Sequence, residues 1–243
     1  MTQRSDSHRA INRDVGRAIH RYDMIDDADR ILVGLSGGKD SLTLMRVLTE
    51  RLRRIPIRYE LFGVYVDPGF EGGFADDLER HCRKHGYRLR IERTDFGVEA
   101  HGPSNRENPC FLCSWKRKKR LFEVADELGC RKIALGHHKD DIIETLFLNM
   151  CYAGEISTMV PSQRFFDGLF TVIRPLAFVD EDTIRRFAAE EGFPAFVNPC
   201  PSSTKSKRSE IKALLQRLYR SNRKIKGNLF RAMHHVNTDY LLH

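Results

Sequence analysis

Two short stretches of the chain carry residue types that could do chemistry. Ser36-Gly37-Gly38-Lys39-Asp40-Ser41 follows directly on the apolar run Ile31 to Leu35 and precedes a helical pattern. Two glycines let a backbone curl tightly and come close to an anion. The helix that starts near Asp40 aims its free amides and positive dipole end at the same point. Ser36 and Ser41 add hydroxyl donors, so the turn predicts a cradle for a nucleotide phosphate. Cys110-Phe111-Leu112-Cys113 places two thiols one helical turn apart, half of a metal or cluster site. Together they predict a chain that activates a substrate with ATP and handles sulfur or iron.

The turn is not a Walker loop. That motif needs a glycine five residues before Gly38, where Val33 stands, and Ser or Thr after the lysine, where Asp40 stands. An acid in a phosphate cradle repels bare phosphate, so Asp40 reads as a Mg²⁺ holder or as a residue that orients the chain. The plain alternative is a tight Gly-Gly turn after a strand. For the cysteines several readings stand side by side. A thioredoxin-like redox pair belongs near the start of the first βαβ unit, and these do not lie there. A zinc site needs two further ligands; His101, His137 and His138 are available, but no second C-x-x-C or H-x-H set stands at finger spacing. An iron–sulfur site needs at least a third cysteine, and Cys200, between Pro199 and Pro201, sits in an irregular segment able to reach back. Two unligated thiols are the bland alternative.

The elements that must position these residues alternate. Helical periodicity covers 9–28, 75–86, 114–129, 140–151 and 181–191, and a further helix on Leu44, Val47, Leu48 and Leu52 ends before Pro56. Strands are predicted from Ile31, over Leu61 to Val66, at Leu89 and Ile91, over Lys132 to Leu135 and over Thr171 to Ile173. Strands alternating with helices predict an α/β fold, a doubly wound, mainly parallel five-stranded sheet. In such sheets the ligand crevice lies at the carboxyl ends of the strands, where the glycine turn, Asp67 and Gly136-His137-His138 should converge. His137, His138, Asp140 and Asp141 cluster between the fourth strand and a helix. Asp140 there is also a plain helix cap. Asp141 could reach Mg²⁺ or an activated substrate, and His138 could donate to a phosphate or pair with Asp141. The chain divides into a helical segment 1–29, an ATP-binding α/β domain 30–198 that carries the C-x-x-C insertion, and a basic helical appendage 199–243.

The bulk numbers point to a polyanion. The 243 residues carry 41 Lys and Arg against 33 Asp and Glu, a formal net charge of +8, so nucleic acid is the first candidate partner and a solvated basic surface the alternative. Trp115-Lys116-Arg117-Lys118-Lys119-Arg120 follows the cysteine pair at once. With Lys205, Lys207 and Arg208 of the tail it reads as an RNA-binding surface, cations for the backbone and an aromatic for a splayed base. The alternative is a solvated helix face with Trp115 buried. No run approaches a membrane span, and the polar first ten residues lack the apolar core of a signal peptide, so a cytoplasmic protein is expected. In that compartment cysteines are ligands or core residues, and Cys82, Cys130 and Cys151 read as buried small hydrophobes.

Ser-Gly-Gly-Lys-Asp-Ser after a strand resembles the PP-loop of ATP pyrophosphatases, and within them the chain is most similar to the tRNA 2-thiocytidine synthetases. The resemblance runs in order through Met24-Ile25, Cys110-x-x-Cys113, Lys132-Ile133-Ala134-Leu135-Gly136-His137-His138, Asp140-Asp141 and Thr145-Leu146-Phe147-Leu148-Asn149-Met150. It continues through Ile173-Arg174-Pro175-Leu176, Pro199-Cys200 and Leu229-Phe230-x-Ala232-Met233. It implies that ATP lies in the 36–41 turn, with adenine near Val66 and Asp67, and is cleaved between its α- and β-phosphates. It implies a 4Fe–4S cluster on Cys110, Cys113 and Cys200, with one iron lacking a protein ligand and passing sulfur on. The implied substrate is a cytidine of the tRNA anticodon loop, position 32 in the family, whose C2 oxygen is adenylated and replaced. Asp40, Asp141 and His138 are then the catalytic candidates, a cysteine desulfurase the sulfur donor and a homodimer the assembly. Ser203 stands where the family often has a further cysteine, and Arg117-Lys118-Lys119 where it often has Arg-Arg-Gly. Another PP-loop tRNA modifier, such as a lysidine synthase or a different thiolase, and a non-catalytic RNA-binding or cluster-carrying paralogue are the alternatives.

Overall fold

A computed structural model describes residues 5–106, 108–202 and 207–240. Lys205 and Ser203 therefore lie outside the described residues. Two compact units form, one from 5–138 with 160–202 and one from 139–159 with 207–240.

The first unit is built on a sheet. Its elements are α1 (Asp6–Arg21), β1 (Asp29–Gly34), α2 (Lys39–Arg51), β2 (Tyr59–Asp67), α3 (Ala75–Lys84), β3 (Leu89–Arg93) and α4 (Phe96–Ala100). Then come α5 (Pro109–Glu127), β4 (Lys132–Ala134), β5 (Ser162–Phe165), β6 (Phe170–Ile173) and α7 (Glu181–Glu190), with α6 (Lys139–Leu148) belonging to the second unit. The strand order is β3-β2-β1-β4-β6-β5. Every pairing is parallel except that of β5 with β6. Ile31, Leu32 and Val33 of β1 are fully buried, the continuous apolar run of a strand covered on both faces. Leu32, Val64, Ile133 and Val172, from neighbouring strands, share one core with Phe122, Val124 and Ala125 of α5. The helical segment expected at 1–29 carries α1, whose Ile11, Val15 and Ala18 are fully buried in this unit.

Among the described residues the sheet thus has six strands where five were expected. β5 reads Ser-Gln-Arg-Phe, with no apolar run to announce it, because it is an antiparallel edge strand half-covered on its faces. The turn joining it to β6 puts Phe166 and Asp167 at φ 53. The helix expected over 114–129 begins five residues earlier, at Pro109. The Asn108 side chain caps it, accepting from the amides of Cys110 at 2.9 Å and Phe111 at 3.4 Å, and Pro109 gives up no hydrogen bond in the first turn.

The second unit gathers α6, a π-helical turn Asn149–Ala153, α8 (Lys207–Ser221) and α9 (Lys224–Ala232). Ile143 of α6 is buried with Ile211 and Leu215 of α8, and Phe147, Leu218, Leu229 and Phe230 close around them. Packing therefore groups α6 with the C-terminal helices, where the boundary at 198 and 199 had put it in the α/β domain. Cys151, expected to be buried, is exposed on the π-turn; Cys82 and Cys130 are buried as expected. No described helix is long and apolar enough to cross a membrane.

Candidate active site

The strand order reverses at β1, which lies between β2 and β4. Loops leaving the carboxyl ends of β1 and β4 part there and open a crevice. The turn 36–41 follows β1 and Gly136-His137-His138 follows β4. The two turns touch through backbone: a Cβ on Gly136 would lie 3.0 Å from the Asp40 carbonyl carbon and from the Ser41 nitrogen. Gly37 takes φ +76, and a Cβ on it would lie 2.3 Å from the Phe74 ring. Within the turn the Ser41 hydroxyl accepts from the Ser36 amide at 3.1 Å and donates to the Gly38 carbonyl at 2.9 Å. Its proton is thus committed to the turn itself, and Ser41 acts as an internal brace.

Asp40 lies at the start of α2. One carboxylate oxygen is 3.2 Å from Lys39 Nζ and 3.8 Å from His138 Nε2. That oxygen, Oδ1, is buried and accepts no hydrogen bond. Lys39 also reaches Glu181 at 3.3 Å. His138 is 3 % exposed and the Asp40 carboxylate beside it is half-buried, so a buried imidazole and a partly open carboxylate meet behind the phosphate turn.

A cavity of about 290 Å³ opens beside this pair. Gly34, Leu35, Val64 and Val66 line it from β1 and β2, and Leu121 and Leu135 add apolar surface. Ser36 and His137 contribute from the two turns, and Arg117 and Lys118 from α5. Of the two residues expected near adenine, Val66 lines this cavity. The Asp67 carboxylate instead accepts from the Gly69 amide at 3.0 Å and shapes the turn after β2.

Arg174, at the end of β6, is a site residue that sequence reasoning missed. It is buried, its Nε donates to His137 Nδ1 at 3.3 Å, and its Nη1 donates to the Val160 carbonyl at 2.5 Å. Burial without a carboxylate lowers its pKa to about 10. Because Nδ1 of His137 accepts, the proton of the neutral ring sits on Nε2. Lys118 is held below the usual lysine range by partial burial first and then by the charge of Arg174, although part of its side chain is open to solvent. The available signal was a charged residue ending an otherwise apolar strand.

The cysteine pair occupies the first turns of α5. Cys110 is exposed, and Cys113 and Cys200 are half-buried free thiols. The Cys113 thiol is pushed up by burial, drawn back by Arg117, and pushed up further by the charges of Cys200 and Cys110. The three sulfurs are thus electrostatic neighbours although Cys200 is far away in sequence. Among the described residues no three His, Cys, Asp or Glu side chains are already closed to metal-ligand spacing. The donor set nevertheless fits an iron–sulfur group, since thiolates that repel one another are what bound iron stabilises. His101 is no ligand candidate here: Nδ1 donates to the Gly97 carbonyl at 2.8 Å and Nε2 meets the Ser202 hydroxyl at 2.7 Å.

The basic stretch of α5 divides by function. Arg117 and Lys118 face the cavity, Lys116 pairs with Glu99, and Arg120 is tied to Glu92 at 2.7 Å and to Glu123 and Glu127 at 3.0 Å. Trp115 is exposed with Phe111 one turn before it, and Lys119 Nζ stands 5.9 Å from the Trp115 ring. In the second unit Lys207 Nζ lies 4.3 Å from the Tyr152 ring centre. Arg208 reaches Asp141 at 3.3 Å and Glu144 at 3.4 Å, and Lys226 pairs with Asp140 at 2.6 Å. Asp141 thus carries a cationic partner within its own unit, while Asp40 and His138 are brought together in the first.

A family model described as a PP-loop domain matches residues 8–218. The chain is 41% identical over 239 residues to a tRNA-cytidine(32) 2-sulfurtransferase of Syntrophotalea carbinolica, with 96% of this chain and 92% of that protein covered. It is 40% identical over 231 residues to the protein of the same name from Geotalea uraniireducens, covering 94% of this chain and 92% of that one. Among solved structures it is similar to the U34-tRNA thiolase NcsA from Methanococcus maripaludis with its [4Fe-4S] cluster. That match has a TM-score of 0.78 and 26% identity, over 95% of this chain and 80% of that one.

Proposed function

The chain belongs to the tRNA-cytidine 2-sulfurtransferase family of PP-loop enzymes, and from that premise we propose that it adenylates C2 of a cytidine at tRNA position 32 and exchanges the oxygen for sulfur. The observation that carries this reading is the double role of α5. Its first turns bear Cys110 and Cys113, and its next turn, with Arg117 and Lys118, walls the cavity beside the phosphate turn.

ATP lies with its phosphates in the 36–41 turn and its nucleoside in the cavity beside Val64 and Val66. Gly37 and Gly38 admit the β- and γ-phosphates close to the backbone, and the start of α2 and Lys39 meet their charge. The Asp40 carboxylate, whose Oδ1 accepts no hydrogen bond although Lys39 lies 3.2 Å away, would hold a Mg²⁺ ion that neutralises phosphate charge. The C2 oxygen of the cytidine attacks the α-phosphate. One O–P bond forms, the bridge to the β-phosphate breaks, and pyrophosphate departs. Arg117, Lys118 and the Nε2–H of His137 bring positive charge to the wall where negative charge grows in that step. Adenylation turns a poor leaving oxygen into AMP, and sulfur then takes its place at C2.

Cys110, Cys113 and Cys200 would hold a 4Fe–4S cluster, which when bound supplies an iron able to carry sulfide. Trp115 and Phe111 offer stacking surface and Lys119 charge for the RNA. A cysteine desulfurase is the proposed sulfur source, with a two-electron donor reducing its persulfide sulfur to sulfide; the cytoplasm is the proposed compartment and a homodimer the proposed assembly. Mass spectrometry of tRNA nucleosides from a strain lacking this gene tests the reading. 2-Thiocytidine should disappear and return with the intact gene, but not with a Cys200→Ala copy. An unchanged nucleoside profile refutes it.

A further inference from the structure

Cys200 lies in a stretch with no helix or strand from 193 to 200, yet its charge is felt at the Cys113 thiol. Two side-chain contacts to other elements flank the cysteine, one on each side. Four residues before it, the Phe196 ring stacks on Phe74 with centroids 5.0 Å apart and planes 13° from parallel. Two residues after it, the Ser202 hydroxyl meets His101 Nε2 at 2.7 Å. The His101 ring is itself oriented: a carbonyl only accepts, so Nδ1 carries the proton given to Gly97, and Nε2 of the neutral ring accepts from Ser202. The first contact does not end at Phe74. That ring lies against Gly37 so closely that a Cβ there would be 2.3 Å from it, and 3.2 Å from Phe196 as well.

We propose that the Phe74–Phe196 stack and the His101–Ser202 hydrogen bond form a two-point clamp that positions Cys200, and that its first point couples the position of Cys200 to occupancy of the phosphate turn at Gly37. Phe74, Phe196, His101 and Ser202 are positioning residues. The clamp rests on the reading of Cys200 as the third sulfur ligand only for its purpose, not for its geometry. An irregular segment would otherwise sample many conformations, and ordering it in advance removes the entropy cost of closing three thiols on one group. Coupling is reciprocal: a nucleotide that stiffens the turn stiffens the segment, and a fixed segment favours the nucleotide.

The test uses the full-length metal-free chain and Phe196→Leu and Ser202→Ala, two substitutions at partly exposed positions. The rate of alkylation of each cysteine by iodoacetamide is read by mass spectrometry, with and without a non-hydrolysable ATP analogue. Each variant should raise the Cys200 rate about fivefold, the loss of one net hydrogen bond or aromatic pair, and leave Cys110 unchanged. The analogue should slow Cys200 in the unaltered chain and not in Phe196→Leu. Rates at Cys200 that match the unaltered chain in both variants overturn the clamp, and equal protection by the analogue in Phe196→Leu overturns the coupling. In iron-loaded protein, a chelator should strip both variants faster. An unaltered chain that takes up no iron would remove the three-cysteine reading, while altered Cys200 alkylation would still support the clamp.

Discussion

Arg174 donates from Nε to His137 Nδ1 across 3.3 Å, and among the described residues no carboxylate pairs with its guanidinium. A buried cation without a counter-ion is unfavourable for folding and is retained where an anion binds or charge develops. Its second partner, the Val160 carbonyl, belongs to an exposed residue that water can serve. Replacing Arg174 with Met should therefore leave stability within about 1 kcal/mol of the unaltered protein, or raise it. Pyrophosphate release should nonetheless fall at least tenfold, since His137 loses the donor that fixes its tautomer. Thermal melts beside a pyrophosphate assay check this. A loss above about 3 kcal/mol with normal turnover would make Arg174 structural.

Asp40 offers a sharper division. Its Oδ1 accepts no hydrogen bond, and its ion pair with Lys39 is partly solvated and shared with Glu181, so the folded chain gains little from the charge. Asp40→Asn keeps the shape and removes the charge that Mg²⁺ needs. Pyrophosphate release should drop by about two orders of magnitude or more at unchanged melting temperature, consistent with loss of a metal's charge stabilisation. Retained turnover removes Asp40 from the chemistry.

The glycines separate by geometry. A Cβ on Gly136 meets the backbone of Asp40 and Ser41 at 3.0 Å, and one on Gly38 meets only the Ser36 hydroxyl oxygen at 3.4 Å. Gly136→Ala must push the start of α2 away, at a cost of about 1–3 kcal/mol, and should weaken binding of an ATP analogue more than tenfold. Gly38→Ala, at φ −75, should fold normally. Calorimetric titration of both variants decides it; equal affinities would show that the two turns need not touch.

Much of the site was legible because its residues follow buried strands. The Gly-Gly turn after Ile31-Leu32-Val33 and the His-His pair after Ile133-Ala134 announced both edges of the crevice. Arg117 and Lys118 were not, since charge after a cysteine pair reads as surface until the helix phase is known. The cap at Asn108 starts α5 before the cysteines, which puts the pair and the basic run on one continuous helix. β5 stayed hidden because an edge strand needs no apolar run. Cys151 was misread as core because helical spacing past Leu148 fails where the helix widens into the π-turn.

Burial sets four of the thiols at two extremes. Cys82 and Cys130 are fully buried, and burial pushes both up to about 11, while Cys110 and Cys151 are exposed. The thiolate is the nucleophile, so the metal-free folded protein at pH 8 should be alkylated at Cys110 and Cys151 within minutes and spared at Cys82 and Cys130 until it unfolds. The same burial gives the pH dependence its sign. An unfolded cysteine releases its proton near pH 9, whereas the folded chain keeps both protons to about 11. Above pH 9 the unfolded state therefore binds fewer protons than the folded one, and stability must fall as pH rises. Tyr59, pushed up to about 12 by burial, adds to the loss once the pH passes 10. Denaturant titrations from pH 8 to 11 should show the midpoint moving steadily down. Replacing Cys82 and Cys130 with Ala should flatten the portion between pH 9 and 10, and a slope unchanged by those replacements would place the titrating groups elsewhere.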